Sequence, residues 1–482
     1  MVSIDWKPNK SSPVPLHQQI TEFIKGKIAG GEWTIGYRLP PQRQLAKAFN
    51  VNRSTVGSAY DELTAEGLIE GRRGSGTRVA NTTWNLLASA PPPDWSSYVR
   101  SGIHKPNLPT IQEINQAEFV PGIIRLGTGE LSPDLLPGGA MKEIFARLSA
   151  KDLSYGYEEP KGLWTLRKEI STYLQTIGIQ ASPSSILIVS GALQALQLIS
   201  VGLLHKGAAV FTEKPSYLQS LHVFQSAGIR LSGLPMDKEG IQAKQIPDYK
   251  KQQRGALLYT IPTFHNPTGT LMTARRRKEL LDICQQEQLP LIEDDVYREL
   301  WFDEKPPEPL KASDQHGLVL YLGSLSKTVS PGLRIGWAVG PEPVIDHLAD
   351  IKMQTDYGSS SLSQWAAAEW FASGMYEKHL TEIRAQLTQR RDFTLKLLQQ
   401  HFSDLADWET PSGGFYVWLR IRPAISIRQL FETALAEGIL LNPGNVYDKQ
   451  AEQSLRISYS YASLTDLEDG LRRLAGMIRE LV

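Results

Sequence analysis

Cysteine is almost absent from the 482 residues, with Cys284 as the single example. One cysteine excludes a disulfide framework and any metal site built on several cysteines, and no metal site is predicted. We expect Cys284 to be a small buried apolar residue. An excess of charge of one sign is missing too, because 51 Lys and Arg residues balance 51 Asp and Glu residues. Taken over the whole chain, this balance argues against a nucleic-acid partner.

Long hydrophobic runs are also missing. The first residues, MVSIDWKPNK, contain no apolar segment of the kind that a signal peptide needs. The longest uncharged stretch, 170–205, contains Pro183, Gly178 and many Ser and Gln residues, which makes it a poor membrane span. We therefore expect a cytoplasmic protein with no membrane partner. Its length predicts two or more domains.

The charge balance hides an uneven distribution. Residues 1–80 carry 11 basic and 7 acidic side chains, whereas the remaining 402 residues carry 40 basic and 44 acidic ones. A small basic segment on a mildly acidic body is typical of a surface that contacts phosphates. The alternative is an ordinary solvated surface, and charge alone does not decide between the two.

The first 80 residues predict three helices followed by a hairpin. Apolar residues recur at helical spacing within 14–30 and 53–66, and Pro40-Pro41 opens a helix between these two. Residues 68–79 predict two short strands around a Gly-rich basic turn. Three helices, the last two joined by a tight turn, and a basic hairpin together predict a winged helix-turn-helix, an α+β fold.

A winged helix-turn-helix places its third helix in the major groove of double-stranded DNA, with the first residues of that helix facing base edges. Arg53, Ser54 and Thr55 occupy those positions. Further arginines are expected to contact the DNA backbone or a groove: Arg43, Arg72, Arg73 and Arg78. Residues 15–79 resemble the DNA-binding domain of the GntR family, through Arg-x-Leu-Ala at 43–46, Arg-x-Thr-Val at 53–56 and Gly-x-Gly-Thr at 74–77. The expected domain spans residues 1–80.

Residues 81–120 predict a linker, because Pro91-Pro92-Pro93 favours extended backbone and no hydrophobic period is present, apart from a short helix expected near 110–117. Beyond the linker, apolar runs alternate with helical stretches, which predicts a mostly parallel sheet in an α/β domain. The predicted strands are 186–190, 208–213, 255–261, 290–295, 318–324 and 335–340.

Small and polar residues follow three of these strands. The sequence SGALQAL (190–196) opens a helix, and the free backbone N–H groups at such a helix start bind phosphate. Asp294 ends the strand near 290, and the strand near 320 leads into Lys327 and Arg334. Pyridoxal phosphate requires such a set, because the lysine forms an imine with its aldehyde and a buried acid keeps its pyridine nitrogen protonated.

Residues 121–482 resemble the class I aminotransferases of fold type I, through YEEPKGLWTLR, SGALQAL, EKPSY, HNPTG, EDDVY, SLSKTVSPGLRIGW, PSGGFYVWL and LRISYS. The resemblance implies a pyridoxal-phosphate-binding domain with a large part at about 150–345. A smaller α+β part is implied at about 121–149 and 346–482.

The same resemblance implies a role for each matching residue. Lys327 forms the internal aldimine with pyridoxal phosphate, and Asp294 pairs with the pyridinium nitrogen. The other implied cofactor contacts are Asn266 and Tyr297 to the phenolic oxygen, Tyr217 to the ring face, and Gly191, Ala192, Ser324, Ser326 and Arg334 to the phosphate. Tyr157 reaches the cofactor phosphate of a partner subunit, which implies a homodimer. Arg456 holds the α-carboxylate of an amino compound.

The order of the two resemblances is similar to that of the MocR subfamily of GntR regulators. It implies a transcriptional regulator whose aminotransferase-like body senses pyridoxal phosphate or a small amino compound. Two alternatives stay open: a working aminotransferase with an accessory DNA-binding domain, and an architectural DNA-binding protein that binds no cofactor. Tyr297 stands three residues after Asp294, as in the active enzymes, which keeps transamination among the alternatives.

Overall fold

The computed structural model describes residues 6–72, 76–81, 95–104, 106–154, 156–253 and 255–482, without the side chains of Arg72 and Ser96. The chain divides into two compact units, with the boundary between Ile103 and His104. Among the helices in the described ranges, none is both long and apolar enough to cross a membrane.

The described residues of the first unit form three helices, an antiparallel hairpin and a further short helix, and its winged helix-turn-helix confirms the prediction. Its elements are α1 (Leu16–Ala29), α2 (Gln42–Phe49), α3 (Arg53–Ala65), β1 (Ile69–Arg72), β2 (Gly76–Val79) and α4 (Trp95–Ser101).

The helix α3 is held by its apolar face, which leaves its first turn at the surface. Val56, Ala59 and Leu63 are fully buried, at the helical spacing that the sequence predicts. The Tyr60 hydroxyl donates a 2.7 Å hydrogen bond to the carbonyl of Pro40, which ties α3 to the start of α2. Asn50 takes a left-handed conformation (φ 52°) at the end of α2, and this conformation produces the tight turn into α3.

The second unit begins with a helix inside the segment that was expected to be a linker. This helix, α5 (Pro109–Ala117), buries Ile114 and Ala117 in the core of the second unit. The second half of the expected linker is therefore part of the body. The Arg428 guanidinium, which forms a 3.0 Å ion pair with Glu113, holds the exposed side of the helix.

The remaining helices of the second unit lie around its sheets. They are α6 (Gly138–Ser149), α7 (Trp164–Thr176), α8 (Ala192–Gly202), α9 (Val223–Ser226), α10 (Ile246–Gln253), α11 (Ala274–Gln286), α12 (Glu342–Thr355), α13 (Ser361–Ala372), α14 (Met375–Phe402), α15 (Ile427–Ala436) and α16 (Leu464–Glu480).

The strands of the second unit form one large sheet and two small ones. They are β3 (Ile124–Arg125), β4 (Ile186–Val189), β5 (Ala209–Lys214), β6 (Arg230–Asp237), β7 (Gly240–Ile241), β8 (Gly255–Thr260), β9 (Leu291–Asp294), β10 (Val319–Ser324), β11 (Gly336–Val339), β12 (Ala406–Asp407), β13 (Tyr416–Ile421), β14 (Ile439–Leu440) and β15 (Ser454–Ser458).

The large sheet has the order β4-β11-β10-β9-β8-β5-β6-β7. Its central strands β10, β9, β8, β5 and β6 are parallel to one another, whereas β11 runs antiparallel to both β10 and β4, and β7 runs antiparallel to β6. The six strands predicted from apolar runs are all present, and β6 and β7 extend the sheet beyond them. Because β8, β9 and β10 run in the same direction, the residues that follow them meet at one edge, where α/β sheets bind ligands.

Candidate functional site

A cavity of about 380 Å³ opens at the carboxyl ends of the parallel strands. It brings together all but one of the residues that were predicted to contact pyridoxal phosphate or its amino ligand. Those that line it are Gly191, Ala192, Tyr217, Asn266, Asp294, Tyr297, Ser324, Ser326, Lys327, Arg334 and Arg456.

Lys327 and Asp294 lie in this cavity because they follow adjacent parallel strands, β10 and β9. The Lys327 ammonium donates a 2.7 Å hydrogen bond to the carbonyl of Gly129. The Asp294 carboxylate is buried, and its Oδ2 accepts a 2.7 Å hydrogen bond from the Tyr259 hydroxyl. Burial raises the pKa of Asp294 to about 6, although the Tyr259 hydrogen bond and the Lys327 charge act in the opposite direction.

The Asp294 Oδ1 atom has no hydrogen-bond partner among the described residues, although it is buried. A buried carboxylate oxygen without a hydrogen-bond partner lowers the stability of the folded protein. A protonated ring nitrogen would satisfy this oxygen. The Asp294 carboxyl group therefore fits the role of partner to a pyridinium nitrogen.

The start of α8 forms an anion cradle with Arg334. Gly191, immediately before α8, has φ 81°, and Arg334 is also left-handed at φ 54°. A Cβ atom on Gly191 would lie 2.7 Å from an Arg334 nitrogen, so the close approach requires glycine. The Ser326 hydroxyl is buried without a partner in the described part of the chain. Helix-start amides, a guanidinium and the free Ser326 hydroxyl form a donor set that fits a phosphate.

Arg456 lies on β15, and its guanidinium is buried. Its Nη1 donates to Asn266 Oδ1 at 2.8 Å, and its Nη2 donates to the carbonyl of Gly127 at 2.7 Å. The rings of Tyr416 and Tyr447 lie 4.3 and 5.0 Å from the guanidinium carbon. No carboxylate in the described ranges pairs with Arg456, and its Nε atom has no partner. This geometry suits a carboxylate that arrives with a ligand.

Three phenols complete the wall of the cavity. The Tyr297 hydroxyl lies 3.4 Å from the Asn266 amide and 3.0 Å from the Tyr416 hydroxyl. Tyr217 stands in a single turn of 3₁₀-helix after β5, and burial raises the pKa of its phenol to about 12. Neutral phenols remain hydrogen-bond donors at physiological pH.

Tyr157 does not line the cavity of its own chain. Its side chain is 81% exposed, and its ring packs edge-on against that of Tyr357 at 4.9 Å between centroids. The role expected for Tyr157, a contact with the phosphate of a partner subunit, remains a prediction.

Sequence reasoning missed several residues of the cavity wall. Tyr259 supports Asp294 from β8, and Gly129 accepts the Lys327 hydrogen bond. Tyr416 belongs to the PSGGFYVWL segment, which was recognised as a motif without a role for its tyrosine. The wall formed by 107–118 lies in the segment that was expected to be a linker. The apolar spacing of Ile111, Ile114 and Ala117 was the available signal for this wall.

In the first unit, the predicted recognition residues lie at the start of α3. Arg53 and Ser54 are exposed, Thr55 is half-buried, and Arg43 is exposed on α2. Within the described residues, no ion pair or side-chain hydrogen bond engages Arg43 or Arg53.

The hairpin arginines differ from these. Arg78 is half-buried, and its Nη1 donates a 2.7 Å hydrogen bond to the carbonyl of Gly36, which gives it a structural task. Arg73 and the side chain of Arg72 lie outside the described residues. Arg38, which was not predicted, lies against the hairpin, because a Cβ atom on Gly76 would be 3.1 Å from its Nε atom.

Comparison with known proteins agrees with both units. The family model "Aminotransferase class I and II" matches residues 121–474, and "Bacterial regulatory proteins, gntR family" matches residues 16–79. The transcriptional regulator YisV of Bacillus subtilis is 56% identical over the full length of both chains. The regulator NorG of Staphylococcus aureus strain N315 is 36% identical and covers 92% of this chain and 100% of its own.

Solved structures resemble the second unit. A kynurenine aminotransferase of Pyrococcus horikoshii in complex with PMP is 30% identical, with a TM-score of 0.73 over 78% of this chain and 96% of its own. An archaeal alanine:glyoxylate aminotransferase is 29% identical, with a TM-score of 0.76 over 81% of this chain and 100% of its own.

The two units define a DNA-binding transcriptional regulator with an aminotransferase-like domain. The chain belongs to the class I and II aminotransferase family through its body and, with its GntR head, to the MocR subfamily of GntR regulators. Homologues with the class I aminotransferase fold are pyridoxal-phosphate-dependent, and pyridoxal phosphate is the cofactor of this fold.

Proposed function

We propose that this regulator responds to a small amino compound, or to pyridoxal phosphate itself, through the cavity of its second unit. The observation that carries the proposal is the arrangement of Lys327, Asp294 and Arg456 in one cavity, where each has an atom free for a ligand or a hydrogen bond that a ligand can replace. The same chain carries an exposed Arg53 at the start of a DNA-recognition helix.

Different residues of the cavity bind the cofactor and the amine. When bound, pyridoxal phosphate supplies an aldehyde that condenses with amines and a ring that withdraws electrons. Lys327 presents its amine to that aldehyde, and Asp294 holds a proton on the ring nitrogen. The Arg334 guanidinium and the start of α8 bind the phosphate, whereas Arg456 orients a ligand carboxylate.

An incoming amine would take the place of the Lys327 amine at the cofactor aldehyde. The proton given up by the incoming ammonium would pass to the released Lys327 amine, and the carboxylate of the ligand would lie beside Arg456. A ligand shifts the regulator between two states only by its difference in affinity for them, and that difference sets the size of the effect on DNA binding.

We further propose that the regulator acts as a homodimer that binds an operator in double-stranded DNA. Tyr157 supports this proposal, because its exposed ring is available to a second copy and does not reach its own cavity. A GntR head with a modest excess of basic residues binds weakly alone, and two heads bind more tightly. Because the operator is chromosomal, we expect a cytoplasmic protein that is nucleoid-associated when bound.

A DNA-binding titration with and without cofactor tests the proposal. The probe is the DNA upstream of the protein's own gene, and the affinity is measured by fluorescence anisotropy with pyridoxal phosphate and a panel of amines. The holo-protein should be yellow, and borohydride should fix the cofactor to Lys327. Lys327→Ala should bind the operator but lose the response to amines, whereas the exposed control Lys238→Ala should keep it. Colourless protein that resists reconstitution would overturn the proposal.

A second candidate function is transamination, and one observation favours it. Asn266, Tyr297, Asp294 and Lys327 all line one cavity, so the residues needed to move a proton at an amino-acid carbon are present. Sustained multiple turnovers with an amino acid and a keto acid, at a rate unaffected by operator DNA, would support this function. A single half-reaction that stops after one equivalent would support the sensor.

A further inference from the structure

Once a cofactor and an amino acid are bound, some of the charged side chains that line the cavity still have no partner. Three cations line it among the described residues: Lys327, Arg334 and Arg456. In the proposed function Lys327 meets the cofactor aldehyde, Arg334 meets its phosphate and Arg456 meets the ligand carboxylate. The cavity therefore has no cation left for a second acidic group on the ligand.

Two carboxylates on the same wall have no assignment in the proposed function. They belong to Glu118 and Glu130, and neither forms an ion pair among the described residues. Each side chain retains some exposure, with Glu118 half-buried and Glu130 at the exposed mouth. An ionised carboxylate in such a position attracts a cation, and the attraction grows as the ligand displaces water.

The position of Glu118 is fixed by the fold. It follows α5 directly, and its backbone N–H donates a 3.0 Å hydrogen bond to the carbonyl of Ile114, which is buried in the core. The Thr128 hydroxyl donates a 2.9 Å hydrogen bond to Glu118 Oε1, which leaves Oε2 for a ligand. The ion pair between Glu113 and Arg428 holds the same helix on its exposed side.

Glu118 also lies near the group that binds a ligand carboxylate. The Tyr447 ring, 5.0 Å from the Arg456 guanidinium, lies within the electrostatic reach of Glu118. Burial raises the pKa of the Tyr447 phenol above its usual range, and the Glu118 charge adds to the rise. Arg456 and Glu118 thus provide a positive and a negative charge that both act on the Tyr447 phenol.

The backbone at Glu130 is also held in place. Its carbonyl accepts a 2.7 Å hydrogen bond from the Ser460 hydroxyl, and the preceding carbonyl, of Gly129, accepts one from Lys327. The backbone at 129–130 is therefore fixed next to the reactive lysine, and the Glu130 carboxylate extends from this point.

We propose that the amino compound sensed by this regulator carries a carboxylate, a primary amine and a second, distal cationic group, as a basic amino acid does. This inference rests on the proposed function and names the class of ligand for its cavity. Arg456 binds the carboxylate, Lys327 gives way to the primary amine, and Glu118 with Glu130 receives the distal cation. Residues 107–118 form the wall of the cavity at whose end Glu118 stands.

The test compares amino acids that have the same number of carbon atoms and a different charge, on the pyridoxal-phosphate-loaded full chain. The probes are L-lysine and L-ornithine, their uncharged counterparts L-norleucine and L-norvaline, and L-glutamate. Binding is followed by the change in cofactor absorbance. We expect the basic amino acids to bind about tenfold more tightly than their uncharged counterparts, since about 1.4 kcal/mol corresponds to a factor of ten. L-Glutamate should bind more weakly than either group.

Two variants test whether Glu118 and Glu130 cause the preference for basic amino acids. Glu118→Gln keeps a hydrogen-bond acceptor for Thr128 and removes the charge. Glu130→Gln removes the charge of the exposed Glu130 side chain. Each should reduce the preference for L-lysine over L-norleucine, and the double variant should abolish it. Glu113→Gln is the control, because Glu113 is on the same helix but faces Arg428. It should change the affinity for all ligands equally.

The outcomes separate this inference from the function on which it rests. Equal binding of L-lysine, L-norleucine and L-glutamate by a yellow, amine-responsive protein would overturn the ligand class and leave the sensor intact. A preference that survives in the double variant would overturn the assignment to Glu118 and Glu130. A chain that takes up no cofactor would overturn both proposals.

Discussion

The Tyr259 hydroxyl donates a 2.7 Å hydrogen bond to Oδ2 of Asp294, while Oδ1 of the same carboxylate has no partner in the described part of the chain. One oxygen is thus stabilised by the protein, and the other is available to a ligand. Burial raises the pKa of Asp294 to about 6, and the Tyr259 hydrogen bond partly offsets this rise because it favours the charged form. Tyr259 therefore sets the pH at which Asp294 can partner a positively charged ring.

Tyr259→Phe should shift the pH dependence of cofactor binding. Asp294 must be ionised to pair with a pyridinium nitrogen, so the affinity for pyridoxal phosphate should fall as the pH drops through about 6. Loss of the hydroxyl removes a hydrogen bond to the charged form, which should move this fall to higher pH by about one unit. Cofactor fluorescence titrations between about pH 5 and 8 measure the shift.

Asp294→Asn is the control for this titration, because it removes the ionisable group. Its affinity should be low and should vary with pH only through the cofactor's own ionisations. A Tyr259→Phe profile that superimposes on that of the unchanged protein would contradict the role assigned to the hydroxyl.

The proximity of Asp294 and Lys327 could be predicted from sequence. Both come at the ends of apolar runs that alternate with helices, and the carboxyl ends of parallel strands lie at one edge of the sheet. The Tyr259 contact could not, because it depends on the register between β8 and β9, which places Tyr259 beside Ile292. Local pattern likewise does not specify that β11 runs antiparallel to its neighbours. A short helix near 110–117 was predicted, but its packing against the cavity was missed, because the proline-rich composition around it indicated a linker.

Gly191→Ala should weaken cofactor binding by at least about tenfold, because the new methyl group would lie 2.7 Å from an Arg334 nitrogen and would push the guanidinium out of the phosphate cradle. The positive φ of 81° adds a backbone cost of about 1 kcal/mol. Equilibrium titration with pyridoxal phosphate measures the loss of affinity.

Gly207→Ala is the matched control for this substitution. Gly207 has a similar φ of 87°, but a Cβ atom there would meet nothing within 4 Å. It should lower the thermal stability by a similar backbone term and leave the cofactor affinity unchanged. Equal losses of affinity in the two variants would show that strain, and not the displacement of Arg334, is the cause.

Glu213→Gln should stabilise the protein at high pH. Glu213 is buried on β5, and its Oε1 accepts hydrogen bonds from the Thr260 hydroxyl and the Ile261 amide. Its Oε2 has no hydrogen-bond partner among the described residues and lies 3.9 Å from the Nε2 of His265. Burial raises the pKa of Glu213 from 4.5 to about 7. A raised pKa in the folded state means that the stability contribution is complete below about pH 4.5 and is lost as the pH rises through about 7.

Glutamine mimics the protonated carboxyl group and does not titrate. The Tm of Glu213→Gln should therefore exceed that of the unchanged protein at about pH 8, by an amount that reflects about 3 kcal/mol, and should match it at about pH 4. Glu143→Gln, at an exposed helix position, is the control and should show no such pH dependence. A Glu213→Gln variant that is less stable than the unchanged protein at both pH values would refute the prediction.

Arg53→Ala should lower specific DNA affinity by about 1–3 kcal/mol and leave the cofactor absorbance unchanged, because Arg53 and the cofactor cavity lie in different compact units. Anisotropy titrations at several salt concentrations also reveal what the guanidinium contacts. Each neutralised phosphate contributes about −0.9 to the slope of log affinity against log salt. A phosphate contact predicts that the variant loses about one such increment, whereas a base contact predicts an unchanged slope and relaxed sequence preference.

Arg479→Ala is the control, because it removes the same charge from a surface ion pair with Asp404 in the second unit. It should change neither the DNA affinity nor the cofactor absorbance. Loss of both DNA binding and cofactor absorbance in Arg53→Ala would contradict the separation of the two sites.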